Sequence, residues 1–156
     1  MLKKLLKKIL KSRQVIKGYY NSNNQETHIL LLDVKLQNGR IWSQLLLQNK
    51  KIKSLHEAEF KVFSQWGDDG IIQYLVNYLD IDIKTFVEFG VEDYLEANTR
   101  FLLINDNWTG LVIDGSEMNV AKIKKDEIYW KHDLIAKSAF ITSDNINQLI
   151  EEEGIK

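Results

Sequence analysis

Two acidic residues stand near the ends of two apolar runs, each followed by a glycine. The run TFVEF leads through Glu88 to Gly90, and the run GLVI leads to Asp114 and Gly115. Such runs are typical of buried strands, and an acid that ends a buried strand usually has a ligand or a polar partner. Because ligands of open α/β sheets bind beyond the carboxyl ends of the strands, we predict a binding site at these residues. A helix-capping or salt-bridging role is the alternative for Glu88.

The spacing of these residues suits a nucleoside. Asp114 follows Gly90 by 24 residues, close to the ~20-residue spacing at which an acid meets ribose hydroxyls in dinucleotide-binding folds. A carboxylate can accept hydrogen bonds from both hydroxyls of one ribose, and a glycine lets the backbone approach a ligand closely. We therefore predict that Asp114 binds a ribose.

The charge of the loop after Gly90 discriminates between cofactors. The fingerprint G-x-G-x-x-G is absent, and Glu92, Asp93 and Glu96 would repel a pyrophosphate. An acidic loop instead favours S-adenosylmethionine (SAM), which carries a sulfonium and an amino group and no phosphate. The sequence predicts SAM as the cofactor, and a nicotinamide-dependent oxidoreductase is the rival interpretation.

Alternating strands and helices must position this site. We predict strands at residues 85–89, 110–115 and 128–130, with an edge strand or a loop at 139–141. We predict helices at 98–104 and 119–125, a helix capped by Ser64 that carries Ile71, Ile72, Leu75, Val76 and Leu79, and a last helix capped by Thr142 or Ser143. This alternation predicts an α/β fold with a parallel sheet covered by helices.

The N-terminal third is predicted to be helical. Residues 1–17 hold seven basic residues and no acid, with leucines at helical spacing, which predicts a basic amphipathic helix. It would lie on an anionic membrane surface or pack on a partner or on the domain itself. Residues 18–54 are predicted as a linker and a helical region, in which 26–50 form one helix or a hairpin turning at Asn38-Gly39, with helix favoured. Residues 55–156 are predicted as the cofactor domain.

The amino-acid composition argues against functions that need nucleic acid or a metal ion. The chain has 156 residues, of which 44% are hydrophobic, enough for one ordinary domain. Of its 21 basic residues seven lie in 1–17, which leaves 14 against 22 acids in the remainder, so nucleic acid is not the expected partner. There is no cysteine, and the three histidines lack metal-ligand spacing, so we predict no metal. A cytoplasmic location is expected, with peripheral membrane contact through residues 1–17.

Four segments, in order, resemble those of one bacterial methyltransferase family. Residues 63–72 (FSQWGDDGII) resemble its segment FSQxGEDGII, and residues 86–99 (FVEFGVEDYLEANT) resemble its first cofactor motif. Residues 108–116 (WTGLVIDGS) resemble its second motif, and residues 140–146 (FITSDNI) resemble a later segment, ITxENI. The family is related to FkbM-type sugar O-methyltransferases and to enzymes encoded among surface-polysaccharide genes. The resemblance covers about residues 55–150.

The resemblance implies the N-terminal part of a Rossmann-like class I methyltransferase sheet, with SAM as cofactor and a sugar or polysaccharide precursor as methyl acceptor. It implies that Glu88 and Gly90 hold the methionine end of SAM and that Asp114 binds the ribose. Asp133, expected after the third strand, would lie near the adenine amino group. The cofactor residues are thus, in chain order, Gln65, Gly67, Asp69, Glu88, Gly90, Asp114, Gly115 and Asp133.

Two features depart from the family pattern. Tyr94 stands where the first motif often has a further glycine. Such enzymes also continue into a fourth strand with an acidic DIDG-like motif, whereas this sequence ends with EEEGIK. We therefore expect a C-terminally truncated domain with little activity by itself, and no catalytic base is identified in it. A non-catalytic, membrane-associated binding or scaffold protein is the alternative function.

Overall fold

The computed structural model describes residues 26–48, 51–79 and 81–155. The helix predicted for 1–17 and most of the predicted linker lie outside these ranges. The chain forms two compact units, Met1–Asn38 and Gly39–Lys156. Of the first unit, the described residues 26–38 are helical and largely exposed.

Residues 26–48 are helical throughout and form helix α1. The prediction of helix over hairpin is confirmed, and Asn38-Gly39 makes no turn. Gly39 is buried, and a Cβ added there would lie 2.5 Å from Cγ2 of Val62 and 2.9 Å from Cε2 of Phe101. A larger residue would not fit at this contact, so the glycine serves close packing rather than chain reversal.

Helix α2 spans Asp68–Tyr78 and follows a 3-10 helix at Leu55–Ala58. The prediction that Ser64 caps α2 is wrong, because the N-cap is Gly67, with φ of 139°. Ser64 still contacts the first turn, since its Oγ accepts a hydrogen bond from Asp69 N at 3.1 Å. Asp68 and Asp69 lie in the first turn of α2, where the helix dipole favours anions.

Three parallel strands form a sheet in the order β1-β2-β3. They are β1 (Thr85–Phe89), β2 (Thr109–Asp114) and β3 (Leu134–Ser138). Parallel neighbours need crossover connections, usually helical. Helix α3 (Arg100–Asp106) connects β1 to β2, and helices α4 (Glu117–Lys125) and α5 (Glu127–Lys131) connect β2 to β3. The last helix, α6, spans Ile146–Glu151. The protein is therefore a mixed α/β fold, compatible with a Rossmann-like architecture.

The third strand lies later in the chain than predicted. Ile128, Tyr129 and Trp130 belong to α5, not to a strand. Asp126 caps this helix, because its Oδ1 accepts a hydrogen bond from Ile128 N at 2.9 Å. Only Ile128 of the three is fully buried, while Trp130 is 73% exposed. The aromatic run thus contributes one core residue, and the short segment LIAKS supplies the strand.

One of two smaller predictions near the C-terminus also needs correction. Residues 139–141 form a loop, which was one of the two alternatives. The N-cap of α6 is Asn145 rather than Thr142 or Ser143. Asn145 Oδ1 accepts a hydrogen bond from Thr142 N at 2.8 Å, so the loop closes on the helix start through a different side chain.

The core is built around the central strand β2. Leu111, Val112 and Ile113 are each at most 1% exposed, as expected of a parallel strand covered on both faces. Trp108 is also buried, whereas Trp66 lies on the surface. Among the described residues no helix is long and apolar enough to cross a membrane.

Gly110 tests the packing of β1 on β2. A Cβ at Gly110 would lie 2.2 Å from Cζ of the buried Phe86 ring. We expect Gly110→Ala to lower the free energy of unfolding by about 1–3 kcal/mol, since overpacking forces side chains and backbone to shift. Urea denaturation followed by circular dichroism measures the change.

The double variant Gly110→Ala/Phe86→Leu provides the control. Shortening the ring makes room for the new methyl group, so the double variant should lose less stability than the two single variants together. Additive losses, or a Gly110→Ala protein as stable as wild type, would contradict this packing.

Candidate functional site

A cleft opens at the carboxyl end of β1. The strands β1 and β2 end side by side, since Phe89 is the register partner of Ile113. The cleft has a volume of about 350 Å³, within the range of small-molecule sites. Its lining residues come from the segment before α2 and from the connection between β1 and α3: Gln65, Glu88, Gly90, Val91, Glu92, Asp93, Leu95, Glu96, Ala97 and Asn98.

Asp114 ends β2 next to this cleft and is 8% exposed. Its Oδ2 accepts from Glu92 N at 2.9 Å. Its Oδ1 accepts from Ser116 N at 2.9 Å and from Asn119 Nδ2 at 3.2 Å. Burial by itself would raise the pKa of Asp114, but these three hydrogen bonds outweigh it and hold the pKa below its ordinary value. Asp114 is therefore a carboxylate at neutral pH.

The hydrogen bonds of Asp114 limit what it can offer a ligand. A carboxylate has about four acceptor positions, and three of them are used within the protein. Oδ2 of Asp114 therefore retains one hydrogen-bond acceptor position, which suits a single ligand hydroxyl. Binding both hydroxyls of a ribose, as predicted from the sequence, would require Asn119 or the Glu92 amide to give way.

Glu88 lines the cleft and also holds the start of α3. Its Oε1 accepts from Asn98 N at 3.0 Å, and its Oε2 accepts from Thr99 N at 3.0 Å and from Thr99 Oγ1 at 2.5 Å. Since Thr99 is the N-cap of α3, the predicted capping role of Glu88 is confirmed. The side chain borders the cleft as well, so capping and ligand contact are compatible.

The loop after β1 adopts an unusual backbone. Gly90 has φ of +71°, and the non-glycine residues Glu92 and Tyr94 have φ of 51° and 63°. Such left-handed conformations cost about 1–3 kcal/mol each in bulky residues and are kept where surrounding contacts enforce them. The departure from the family pattern at Tyr94 is thus accommodated by a strained residue in the conformation that a glycine would adopt freely.

Tyr94 and Arg100 provide the enforcing contacts. Tyr94 is fully buried, and its hydroxyl bonds Thr99 Oγ1 at 2.9 Å; burial raises the pKa of the phenol well above its ordinary value. Arg100 Nη1 donates to Tyr94 O at 2.8 Å. The guanidinium lies over the rings of Phe63 and Tyr94, 5.3 and 5.6 Å from their centroids. It ties the segment before α2 to the cleft loop.

Asp69 organises the segment before α2. The residue is 1% exposed. Its Oδ2 accepts hydrogen bonds of 2.7–2.9 Å from the amides of Val62, Phe63 and Ser64 and from Ser64 Oγ. Its Oδ1 is buried without a hydrogen-bond partner in the described structure. Asp69 therefore fixes the backbone that presents the exposed Gln65 to the cleft.

Gly67 and Gly115 lie where a neighbouring side chain packs closely against the backbone. A Cβ at Gly67 would lie 3.2 Å from Cβ of Glu59, so this predicted cofactor residue packs against protein and does not line the cleft. A Cβ at Gly115 would lie 2.6 Å from Cε1 of Phe140. The Phe140 ring is 81% exposed and is held beside Asp114, because Ala139 N donates to Asp114 O at 3.1 Å.

Phe140 is not among the residues that line the cleft, but it lies beside Asp114 and is a candidate for ligand contact. The sequence analysis gave it no role. The sequence feature that could have indicated this contact is Gly115, because a glycine after Asp114 makes room for a neighbouring ring. An exposed aromatic face next to a hydrogen-bond acceptor suits a flat heterocycle linked to a hydroxylated sugar.

Asp133 does not lie with the other predicted residues. It precedes β3, whose first residue is Leu134, and its Oδ2 accepts from Oγ1 of Thr109, the first residue of β2, at 2.9 Å. Asp133 is thus at the amino edge of the sheet, opposite the cleft. The prediction that it follows the third strand is wrong, because that strand was assigned to the helical residues 128–130.

A second, larger cavity of about 420 Å³ lies between α1 and α2. Its lining residues are Leu46, Leu47, Gln73, Tyr74, Asn77 and Tyr78. No carboxylate, lysine, arginine or histidine is among them. The buried Gln73 amide is engaged by Ser43 Oγ at 2.7 Å and by Asp106. This cavity therefore has no charged lining group to attract a positively charged cofactor, and the smaller cleft is the better candidate for one.

No family model matches the chain, and no curated protein or solved structure matches it either. Within the described ranges, no group of three or more potential ligands is arranged to hold a metal ion.

Asp69 and its neighbour Asp68 form a matched pair for mutation. We expect Asp69→Ala to lower the free energy of unfolding by about 3 kcal/mol or more, since three buried amides and a hydroxyl lose their acceptor. Asp68→Ala removes an acid from the same helical turn and should cost less than about 1 kcal/mol. Equal losses in urea denaturation would refute the organising role of Asp69.

Proposed function

We propose that this chain binds SAM in the cleft at the carboxyl end of β1 and belongs to a methyltransferase. The observation that carries the proposal is the pair of carboxylates, Glu88 and Asp114, at the ends of two adjacent parallel strands. Ligands of open α/β sheets bind at this edge. The residues fit the cofactor, because Asp114 retains one acceptor position and the cleft is lined by acids.

We assign a protein contact to each part of SAM. Asp114 Oδ2 would accept a hydrogen bond from a ribose hydroxyl. The exposed Phe140 ring would cover one face of the adenine, since base–aromatic stacking contributes about 1–3 kcal/mol per base. The bare backbone at Gly90, where a Cβ would meet nothing within 4 Å, leaves the cleft open to the methionine end beside Glu88.

The reaction would be an in-line displacement. When bound, SAM supplies an electrophilic methyl group on a positively charged sulfur. The residues of this chain would hold the ribose and the amino-acid end so that the methyl group faces the acceptor, and alignment of this kind accounts for much of the rate enhancement of two-substrate reactions. We propose a hydroxyl of a sugar or polysaccharide precursor as acceptor, on the sequence resemblance alone, and we assign no general base.

The rival functions have less support. A pyrophosphate cofactor would face Glu88, Glu92, Asp93 and Glu96 in a cleft without a basic lining residue, which opposes a nicotinamide dinucleotide. A membrane-associated scaffold depends on residues 1–17, which lie outside the described residues, and it stays a prediction from the sequence.

Asp114 and Asp133 provide the test of this proposal, because they are the same residue type at opposite edges of the sheet. We expect Asp114→Ala to weaken binding of S-adenosylhomocysteine (SAH) by about tenfold to a hundredfold, the effect of losing a hydrogen bond to a charged group. Asp133→Ala should leave the affinity within about twofold of wild type. Isothermal titration measures both.

Thermal melts of the two variants provide the control for folding, since Asp114 also accepts three internal hydrogen bonds. Unchanged SAH affinity in a folded Asp114→Ala protein, or no binding by wild type, would refute the assignment.

A further inference from the structure

Two carboxylates of the cleft have no partner in the described structure. Of its four acids, Glu88 accepts amide hydrogen bonds, and Asp93 lies 3.8 Å from Lys122 Nζ. The exposed side chains of Glu92 and Glu96 form no hydrogen bond or ion pair with any described residue. No lining residue is basic. The cleft therefore carries negative charge that no basic residue among its lining residues neutralises.

The fold places the backbone of Glu92 next to Asp114, the proposed ribose ligand, because the Glu92 amide donates a hydrogen bond to Asp114 Oδ2 at 2.9 Å. The Gly90 backbone, with open space where a Cβ would stand, marks the part of the same cleft that a ligand can enter. Glu92 and Glu96 thus border an accessible cavity rather than an arbitrary stretch of surface.

Methyl transfer changes the charge of the molecule that would lie in this cleft. The bond from sulfur to the methyl carbon breaks, and its electron pair stays on sulfur, while the acceptor oxygen bonds the carbon and releases its proton to water. The positively charged sulfonium of SAM becomes the neutral thioether of SAH. Carboxylates near the sulfur stabilise the first and not the second.

We propose that Glu92 and Glu96 are specificity-determining residues that make the cleft bind SAM more tightly than SAH. This inference rests on the proposed function and adds to it a device for product release. The product loses the charge that the two acids attract, so its affinity falls when the methyl group leaves. The same charges discriminate against nucleotides that carry phosphate.

The test compares two ligands that differ by one methyl group and one charge. Isothermal titration of the full chain with SAM and with SAH gives the ratio of the two affinities. We expect wild type to favour SAM by about tenfold at low salt, the effect of two solvent-exposed carboxylates near a cation. In Glu92→Gln/Glu96→Gln the ratio should fall to about two or less, while SAH affinity changes little.

Two controls separate charge from shape and from folding. Glu26→Gln/Glu151→Gln removes the same number of charges from exposed positions outside the cleft and should keep the wild-type ratio. Raising the salt concentration from about 0.05 M to about 0.5 M should lower the wild-type ratio, because exposed charges are screened, whereas a steric preference for the methyl group would not respond.

The outcomes distinguish this inference from the function on which it rests. Equal wild-type affinities for SAM and SAH, or a ratio that survives both the double substitution and high salt, would overturn the inference and leave the SAM site in place. If neither ligand binds, the proposed function fails together with it.

Discussion

Carboxylates that accept backbone amides hold this structure together around its cleft. Asp69 binds the amides of residues 62–64, Glu88 binds those of 98 and 99, and Asp114 binds those of 92 and 116. Each acid fixes an irregular segment whose N–H groups have no partner in a helix or strand, and the cost of leaving these groups unpaired is greatest at Asp69, where they are buried. The parallel sheet brings the ends of β1 and β2 together, and these hydrogen bonds define the loops beyond them.

This arrangement gives the same residues a structural and a chemical role. Glu88 caps α3 while it borders the cleft, and Asp114 keeps one acceptor position after three internal hydrogen bonds. The strain at Glu92 and Tyr94 is retained by the buried contacts of Tyr94 and Arg100, which places the Glu92 amide on Asp114. A ligand at this edge would therefore meet a preorganised surface, and substitution of either acid would affect the loops as well as binding.

The sequence predicts β1, β2 and the helix between them, but it misplaces β3. β1 and β2 were recognisable because they are continuous apolar runs that end in an acid and a glycine. β3 was not, since LIAKS contains a lysine and is less apolar than the aromatic run IYW, which Asp126 caps into a helix. That error also displaced Asp133 to the wrong edge. The roles of Asp69 and Phe140 depend on contacts between distant segments, which no local pattern reveals.

The most direct test of the proposed cofactor site is a map of backbone amide chemical shifts on titration with SAH. We expect the largest changes at Gly90, Glu92, Gly115 and the segment around Phe140, with little change at Thr109 and Asp133 on the opposite edge. Changes centred on the cavity beside Tyr74 and Tyr78, or no change at any resonance, would contradict it.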